Sequence, residues 1–394
     1  MKKKFACLAM AMVMVLSLAA CGGKKEEAPA AAPAESGSDS SVSVFKVGTI
    51  GPLSGDAAIY GQAVANGAKI AVDEINAAGG AIQFELQSQD DEADGEKSVN
   101  AYNTLMDWGM QVMVGPTTTG ASIAVSAQAN ADRTFMLTPS ASSVDVIDGT
   151  DNVFQVCFTD PNQGVASADY ISANMAGAKV AVIYRNDDAY SQGIRDTFVS
   201  EAADKGLEVV YEGTFTADTA TDFSVQLTGA QSAGADTVFL PIYYQPASVI
   251  LNQANAMGYE PTFFGVDGMD GILTMEGFDT SLAEGVMLLT PFSADAEDAR
   301  TQTFVKAYQD QFGETPNQFA ADAYDAVYIY AAALEAAGCT ADMSSADICE
   351  ALVGVMTTIS VDGLTGQGMT WDASGAVSKA PMAVIIENGT YVLP

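Results

Sequence analysis

Two turns rich in hydroxyl groups are the part of this sequence best suited to hold a small anion. Each turn follows a short apolar run of the kind that forms a buried strand. In the first turn, three hydroxyls and free backbone N–H groups meet at the start of a helix predicted from about Ala121, an arrangement that binds carboxylates. Threonines there also serve as helix caps, and for this turn taken alone capping is the commoner role. The two turns contain Thr117, Thr118 and Thr119, and Ser140, Ala141 and Ser142.

One acidic residue, Asp267, ends a later apolar run at residues 262–266 and supplies the opposite kind of group. A carboxylate held in a partly dry cleft needs a cationic partner, because leaving it unpaired is costly. Tyr243 and Tyr244 follow another apolar run, at residues 237–240, by three and four residues. Aromatic residues are more often core than site, but a position at the end of a strand favours the site. Hydroxyl-rich turns combined with one carboxylate favour an amino acid over a sugar or an amide as the ligand.

The elements that must position these groups are repeated units of strand, turn and helix. In the first unit, residues 46–80, an apolar strand is followed by a turn of small residues and a helix. Apolar residues recur along one face of that helix, at Val64, Ala68, Val72 and Ile75. Such units build a parallel sheet, and in a doubly wound sheet the carboxyl ends of the strands line one crevice. The sequence therefore predicts an α/β fold with the hydroxyl-rich turns at such a crevice.

Charge and length exclude several classes of protein. The chain of 394 residues carries 16 Lys and Arg against 50 Asp and Glu. Such a surface repels nucleic acid and anionic lipid headgroups, so neither is expected as a ligand. About 350 residues remain after the amino-terminal segment, which is too many for one typical core and favours two lobes.

The first residues predict a targeting segment followed by a tether. A basic start and an apolar stretch at residues 5–20, short for a membrane span, end in the sequence LAAC at Cys21, which resembles the bacterial lipoprotein box. Residues 1–20 are therefore expected to be a lipoprotein signal peptide, with Cys21 lipid-modified as the first mature residue. The alternative is an ordinary secretory signal with a chance cysteine. Residues 21–44, rich in Ala, Pro and Ser, are expected to be a disordered tether.

Cysteine and histidine usage argues against a metal or cofactor. The chain has no histidine and no C-x-x-C motif, so a structural zinc site is not expected. The acidic run at residues 90–95 lacks the glutamate that an EF-hand needs at loop position twelve, where Ala101 stands. Outside the cytoplasm Cys339 and Cys349 either form a disulfide or stay as free thiols, and the pattern does not decide between these states.

Several motifs, in order along the chain, resemble the branched-chain amino-acid binding proteins. G-P-x-S-G at residues 51–55, Tyr60 followed by glycine, and D-E-I-N-A-x-G-G at residues 73–80 are similar to the family's amino-terminal signature. The two hydroxyl-rich turns match its carboxylate-gripping loops, and later segments follow in the family's order, so the resemblance covers residues 45–394. These proteins are the extracytoplasmic receptors of ABC importers, of the type I periplasmic-binding-protein class.

The resemblance implies an α/β fold of two doubly wound, Rossmann-like lobes joined by a hinge of three chain segments. The ligand would then lie in the cleft between the lobes. Lobe 1 is expected at residues 45–159 and 291–363, and lobe 2 at residues 160–290 and 364–394.

The resemblance also implies how an amino acid is held. Thr119 and Ser142 would hold the α-carboxylate with their hydroxyls, and the Ala141 carbonyl would accept from the α-ammonium. Asp267 would pair with that ammonium. The disulfide that relatives carry near the first carboxylate loop is missing, with Thr118 in the place of the cysteine.

Aromatic residues complete the set that the resemblance implies. Tyr190 lies in a loop matching the one whose tyrosine closes over the ligand, and Tyr243 ends a strand. Phe319 matches a position that touches the ligand side chain in some relatives, with plain core packing an equal alternative. The full expected set is Tyr60, Thr117, Thr118, Thr119, Ser140, Ala141, Ser142, Tyr190, Tyr243, Asp267 and Phe319.

The function implied is that of a lipid-anchored substrate-binding protein of an ABC importer, facing outside the cytoplasm. It would bind an amino acid, branched-chain or similar, as a monomer and deliver it to the permease and its ATPase subunits. An amide, urea or an aromatic acid on the same fold is the alternative ligand. A secreted hydrolase is disfavoured because the chain lacks histidine for a Ser-His-Asp triad, a G-x-S-x-G elbow and a phosphate-binding fingerprint. The chain is therefore not expected to be an enzyme.

Overall fold

The structure, a computed structural model, describes residues 43–394. The predicted signal peptide, Cys21 and most of the predicted tether lie outside the described residues. The first described strand begins at Ser43, two residues before the predicted start of lobe 1, because it pairs there with a strand that begins at Ile82.

The first sheet has five strands, all parallel, and the order β2-β1-β3-β4-β5. Two of its inner strands are short and wholly buried, as is typical of a parallel sheet covered on both faces. The strands are β1 (Ser43–Gly51), β2 (Ile82–Asp90), β3 (Val112–Val114), β4 (Phe135–Thr138) and β5 (Val153–Gln155).

The second sheet has seven strands in the order β12-β11-β10-β9-β8-β6-β7. Strands β6 to β10 run parallel, and β11 and β12 add an antiparallel edge. The strands are β6 (Lys179–Arg185), β7 (Glu208–Phe215), β8 (Thr237–Leu240), β9 (Thr262–Gly265), β10 (Met287–Thr290), β11 (Met382–Glu387) and β12 (Thr390–Val392).

Helices cover both sheets, which confirms the predicted α/β fold. They are α1 (Ala58–Ala78), α2 (Gly95–Trp108), α3 (Thr119–Asp132), α4 (Asp160–Asn174), α5 (Ala189–Lys205), α6 (Ser224–Ser232), α7 (Tyr244–Met257), α8 (Ala299–Phe312), α9 (Gln318–Ala337) and α10 (Ser345–Met356). None of these helices, all within residues 43–394, has the length and apolar character that a membrane crossing requires.

The chain passes between the two sheets three times, after β5, after β10 and before β11. After β10 it returns to the first sheet, where α9 packs along α1 and α10 packs on β4. The α1–α9 contact is so close that a side chain at Gly67 would place its Cβ 2.0 Å from the Ala320 carbonyl oxygen. This contact fixes the start of α9, and therefore Phe319, beside the start of α1, which carries Tyr60.

Candidate functional site

One small cavity collects most of the residues that the sequence predicts for a ligand site. Its wall comes from the carboxyl ends of β3, β4 and β9 and from the starts of α1, α3, α5, α7 and α9. Gly268 is in the wall although the sequence did not predict it. The lining residues are Tyr60, Thr117, Thr118, Thr119, Ser140, Tyr190, Tyr243, Asp267, Gly268 and Phe319.

Ala141 and Ser142 are the two predicted site residues that the structure does not bring to this cavity. The Ala141 carbonyl, expected to meet an ammonium, instead accepts from Gln155 Nε2 at 2.8 Å. The Ser142 side chain is fully buried, and its Oγ accepts from Gln163 Nε2 at 3.5 Å. Neither residue lines the cavity in this conformation, and each has a glutamine side chain as a hydrogen-bond partner.

The threonine turn presents donors that the fold itself does not use. Thr118 is the N-cap residue of α3, but its side chain makes no capping hydrogen bond. Thr118 Oγ1 is buried and has no hydrogen-bond partner among residues 43–394. A buried hydroxyl without a partner is costly, so this group is left for something outside the fold. The capping alternative is therefore wrong for Thr118, and the first turn of α3 offers its backbone N–H groups and one free hydroxyl to an anion.

The second turn braces the first. Ser140 Oγ donates to the Thr117 carbonyl at 2.7 Å, and Thr138 Oγ1 donates to the Pro116 carbonyl at 2.7 Å. Thr117 Oγ1 in turn donates to the Ile50 carbonyl of β1 at 3.2 Å. These bonds hold the start of α3 in place, so its donors are positioned before any ligand arrives.

Asp267 supplies a buried negative charge to the same cavity. It is 3% exposed, and its Oδ1 accepts from the Tyr190 hydroxyl at 2.5 Å. Its backbone groups are also held, by Gln163 Oε1 at 3.1 Å and by Gln318 Nε2 at 2.8 Å. No Lys or Arg of residues 43–394 forms an ion pair with Asp267. Burial raises the pKa of this carboxyl to about 6, although the hydrogen bond that the Tyr190 hydroxyl donates to it opposes the rise.

Tyr60 closes the cavity from the side of the first sheet. Its hydroxyl donates to the Gly268 carbonyl beside the second sheet and accepts from Tyr244 N at 3.2 Å. Its ring lies 4.3 Å from that of Phe319 and 5.2 Å from that of Tyr243, measured between centroids. The remaining cavity measures only about 10 Å³, roughly the room that one water molecule needs. The phenols stay neutral, because burial raises the pKa of Tyr60, Tyr190 and Tyr243 well above the usual range.

Asp160 is a buried acid next to the site that sequence reasoning did not single out. It is 1% exposed, and neither carboxylate oxygen has a hydrogen-bond partner within residues 43–394. The Ser142 hydroxyl is near enough to lower the pKa of Asp160, yet the two groups form no hydrogen bond of acceptable geometry. Burial, reinforced by the charge of Asp267, raises that pKa well above its usual range. An acid at the first position of a helix was the only signal in the sequence, and it is a common one.

A buried ion pair lies where the chain passes back to the second sheet. Lys379 Nζ contacts Asp322 Oδ1 on α9 at 2.6 Å, with both side chains 2% exposed. Lys379 also donates to Thr365 Oγ1 at 2.6 Å, and Thr365 donates to Asp325 Oδ2 at 2.7 Å. Burial raises the pKa of Asp322 to about 6, opposed by the lysine. The network fastens the last crossing of the chain to α9.

The three described cysteines are free thiols, so the bridge between Cys339 and Cys349 is not formed. Cys339 borders a groove with Ile75 and Ile82. Cys349 lies instead on the buried face of α10, where the charge of Arg133 acts on it. The two side chains therefore have different neighbours. Among residues 43–394 no group of acidic or sulfur side chains is arranged to hold a metal ion.

Comparison with known proteins places the chain among transport receptors. The sequence profile of the periplasmic binding protein family matches residues 44–390. A Leu/Ile/Val-binding protein homologue of Brucella melitensis is 32% identical over 318 residues, which is 78% of this chain and 82% of the relative.

Solved structures agree with this comparison. The branched-chain amino acid transporter substrate binding protein LivJ of Streptococcus pneumoniae, in complex with isoleucine, matches with a TM-score of 0.79 and 31% identity. That match covers 88% of this chain and 97% of LivJ. The leucine binding protein LivK of Thermotoga maritima matches with a TM-score of 0.79 and 26% identity, over 89% of this chain and 97% of LivK.

Proposed function

This chain belongs to the periplasmic binding protein family, and on that premise we propose that it binds a branched-chain amino acid and delivers it to an ABC permease. The observation that carries the proposal is a single cavity with two opposite kinds of unused group. Thr118 offers a buried hydroxyl without a partner in residues 43–394, at a helix N-terminus. Asp267 offers a buried carboxylate that no cation of the same residues neutralises. A zwitterion satisfies both.

The carboxylate of the amino acid is assigned to the start of α3. The Thr118 hydroxyl and the free N–H groups of the first turn donate to it, and Thr119 and Ser140 border it. Hydrogen bonds to a charged group contribute about 1.5–3 kcal/mol each. A few of them are enough for micromolar affinity, which corresponds to about −8 kcal/mol.

The ammonium of the amino acid is assigned to Asp267. Tyr190 already fixes the orientation of the carboxylate through the 2.5 Å hydrogen bond, so little rearrangement is needed to receive a cation. The rings of Tyr60, Tyr243 and Phe319 form an apolar wall that suits an aliphatic side chain. Apart from the two tyrosine hydroxyls, these three residues have no polar group that could bind a polar ligand side chain.

Binding requires the cleft to open first. A cavity of about 10 Å³ does not admit an amino acid, so the hydrogen bond between Tyr60 and Gly268 must break. The three passages of the chain between the sheets are where a hinge would bend, with the predicted lobes moving as units. Closure around the ligand then produces the form that a permease recognises.

The family and the sequence support a proposal for location and assembly. Receptors of ABC importers work outside the cytoplasm, and we assign this chain to the same place, anchored through lipid on Cys21 and acting as a monomer. Family members are transport receptors, and we propose that this chain likewise has no enzymatic activity. Replacing Cys21 by Ala is expected to release the protein from membranes, and retention in the membrane fraction would contradict the anchor.

Calorimetric titration with L-isoleucine tests the proposed ligand directly. The unmodified protein is expected to bind with micromolar or tighter affinity, and D267N at least tenfold more weakly. D218N is the matched control, since Asp218 is an exposed acid without a side-chain hydrogen bond, and it should bind as the unmodified protein does. Leucine, valine, amides, urea, benzoate and common sugars complete the panel. Binding of an amide, urea or benzoate without any amino acid would overturn the ligand while keeping the fold.

A further inference from the structure

A second cavity, of about 290 Å³, lies apart from the amino-acid site and shares no lining residue with it. We name it the hairpin cavity, because the turn between β11 and β12 forms part of its wall. The segment before α9 and the segments that follow β9 and β10 form the rest. The residues that matter for its chemistry are Asp270, Leu273, Phe292, Ala294, Pro316 and Tyr391.

Asp270 gives this cavity a buried acid that the fold only half satisfies. The residue is 3% exposed, and its Oδ2 accepts from the backbone N–H of Gln318 at 2.9 Å. Its Oδ1 has no hydrogen-bond partner among residues 43–394, and neither has the hydroxyl of Tyr391. The two groups are close enough for Tyr391 to lower the pKa of Asp270, yet they form no hydrogen bond of acceptable geometry.

Two buried polar groups without hydrogen-bond partners in one cavity suggest a missing partner, because each such group lowers the stability of the folded state. Burial raises the pKa of Asp270, which is the response of a carboxylate that lacks a cation. Leaving both an acid and a phenol without partners destabilises a fold unless water or a ligand completes them. The amino-acid site, by contrast, does not use either residue.

The remaining walls indicate the shape and charge of the occupant. Leu273, Phe292, Ala294 and Pro316 are apolar, and the lining contains no Lys or Arg of the described chain. Asp295 adds a second carboxylate near the rim of the cavity. Cavities of this size, mostly apolar with a few convergent polar groups, are typical of small-molecule sites.

We propose that the hairpin cavity is a second binding site, which takes a small primary ammonium ion with an apolar body. The ammonium donates to Asp270 Oδ1 and to the hydroxyl of Tyr391, and the apolar body packs against Phe292 and Leu273. The three donors of an ammonium match the acceptors that these two groups leave open. Asp270 and Asp295 make the lining acidic, and it contains no Lys or Arg of the described chain, so a ligand that carries only an ammonium is favoured over an amino acid, whose carboxylate these acids repel.

Titration with 2-phenylethylammonium, followed by calorimetry or ligand-observed NMR on the intact protein, tests the proposal. A ligand of this size is expected to bind with a dissociation constant of about a millimolar. D270N should weaken binding at least tenfold, because the amide offers the ammonium no charge. D267N is the matched control: Asp267 is equally buried, three residues away, and also held by Gln318. It should change the affinity for the probe less than twofold.

A cavity-filling variant separates loss of the site from loss of the fold. A294W places a large ring in the hairpin cavity while keeping the Asp270 carboxylate, and it should abolish binding of the probe while leaving the far-ultraviolet circular dichroism unchanged. Absence of saturable binding to the unmodified protein up to about 20 mM would overturn the proposal. So would a D270N affinity within twofold of the unmodified protein. Loss of binding in D267N would place the probe in the amino-acid cleft and overturn it as well, whether or not isoleucine binds there.

Discussion

Replacing Asp267 by Asn is expected to stabilise the ligand-free protein while weakening its binding of an amino acid at least tenfold. Burial raises the pKa of this carboxyl from 3.8 to about 6. A pKa that is higher by one in the folded chain corresponds to about 1.36 kcal/mol, so the charged form costs the folded state about 3 kcal/mol. Asn keeps an oxygen for the Tyr190 hydroxyl and carries no charge, so the variant avoids that cost.

The sign of the effect depends on pH. Well below pH 4 the carboxyl is protonated in both the folded and the unfolded chain, and the substitution changes little. As the pH rises from 4 to about 6 the unfolded chain loses its proton first, which lowers the free energy of unfolding of the unmodified protein. Above that pH the full difference remains, so D267N is expected to be more stable by up to about 3 kcal/mol at about pH 8.

Urea unfolding at several pH values between about 4.5 and 8 measures the difference directly, with D218N as the matched exposed control. Isoleucine at saturating concentration should raise the stability of the unmodified protein by at least about 1.4 kcal/mol more than that of D267N, because a tenfold weaker affinity lowers the stabilisation by that amount. Equal stability of the two proteins at the highest pH would refute the reasoning. A gain of the same size at the lowest pH would refute it too, because the cause would then not be charge.

Three further predictions concern other buried polar groups. D160N should raise the melting temperature at about pH 7.5 and not at about pH 4, since burial raises the pKa of Asp160; a lower melting temperature at the higher pH would contradict the unpaired state of this acid. T118V should weaken isoleucine binding about tenfold, the worth of one hydrogen bond to a charged group, and should raise the stability of the free protein, because it removes a buried hydroxyl without a partner. A calorimetric affinity equal to that of the unmodified protein would remove Thr118 from the site, and T118S should restore binding. K379M should destabilise the fold by about 3–5 kcal/mol in urea unfolding, because it leaves a buried acid without its partner. The same substitution at exposed Lys306 should cost less than about 1 kcal/mol, and equal losses would contradict the special role of the buried pair.

Local patterns in the sequence carry much of the fold. Apolar runs of three to five residues, separated by segments with helical periodicity, predicted the parallel strands. The pattern is strongest in β3 and β4, whose residues are all buried. The resemblance to a family supplied the rest of the site, including Tyr60 and Tyr190, which no local pattern distinguishes from core aromatic residues.

Pairings between distant residues are what the sequence did not reveal. Lys379 and Asp322 are 57 positions apart, and nothing near either one indicates that the other neutralises it. The Ala141 carbonyl accepts from the side-chain amide of Gln155, 14 positions away, and this pairing depends on packing that no local pattern indicates. The burial of Asp160 is likewise a property of how α4 and α5 meet, since its carboxylate lies 3.3 Å from where a side chain on Gly193 would begin.

The bond between Tyr60 and Gly268 has a consequence for measured affinity. A protein molecule whose cavity measures about 10 Å³ cannot bind an amino acid. Only the fraction of protein molecules with an open cleft is available to the ligand. The apparent dissociation constant then equals the intrinsic one divided by the competent fraction. Two receptors with identical contacts to isoleucine would thus differ in apparent affinity if one holds its cleft shut more tightly. A substitution far from the ligand that destabilises the closed, empty conformation therefore increases the apparent affinity without altering any contact with the ligand.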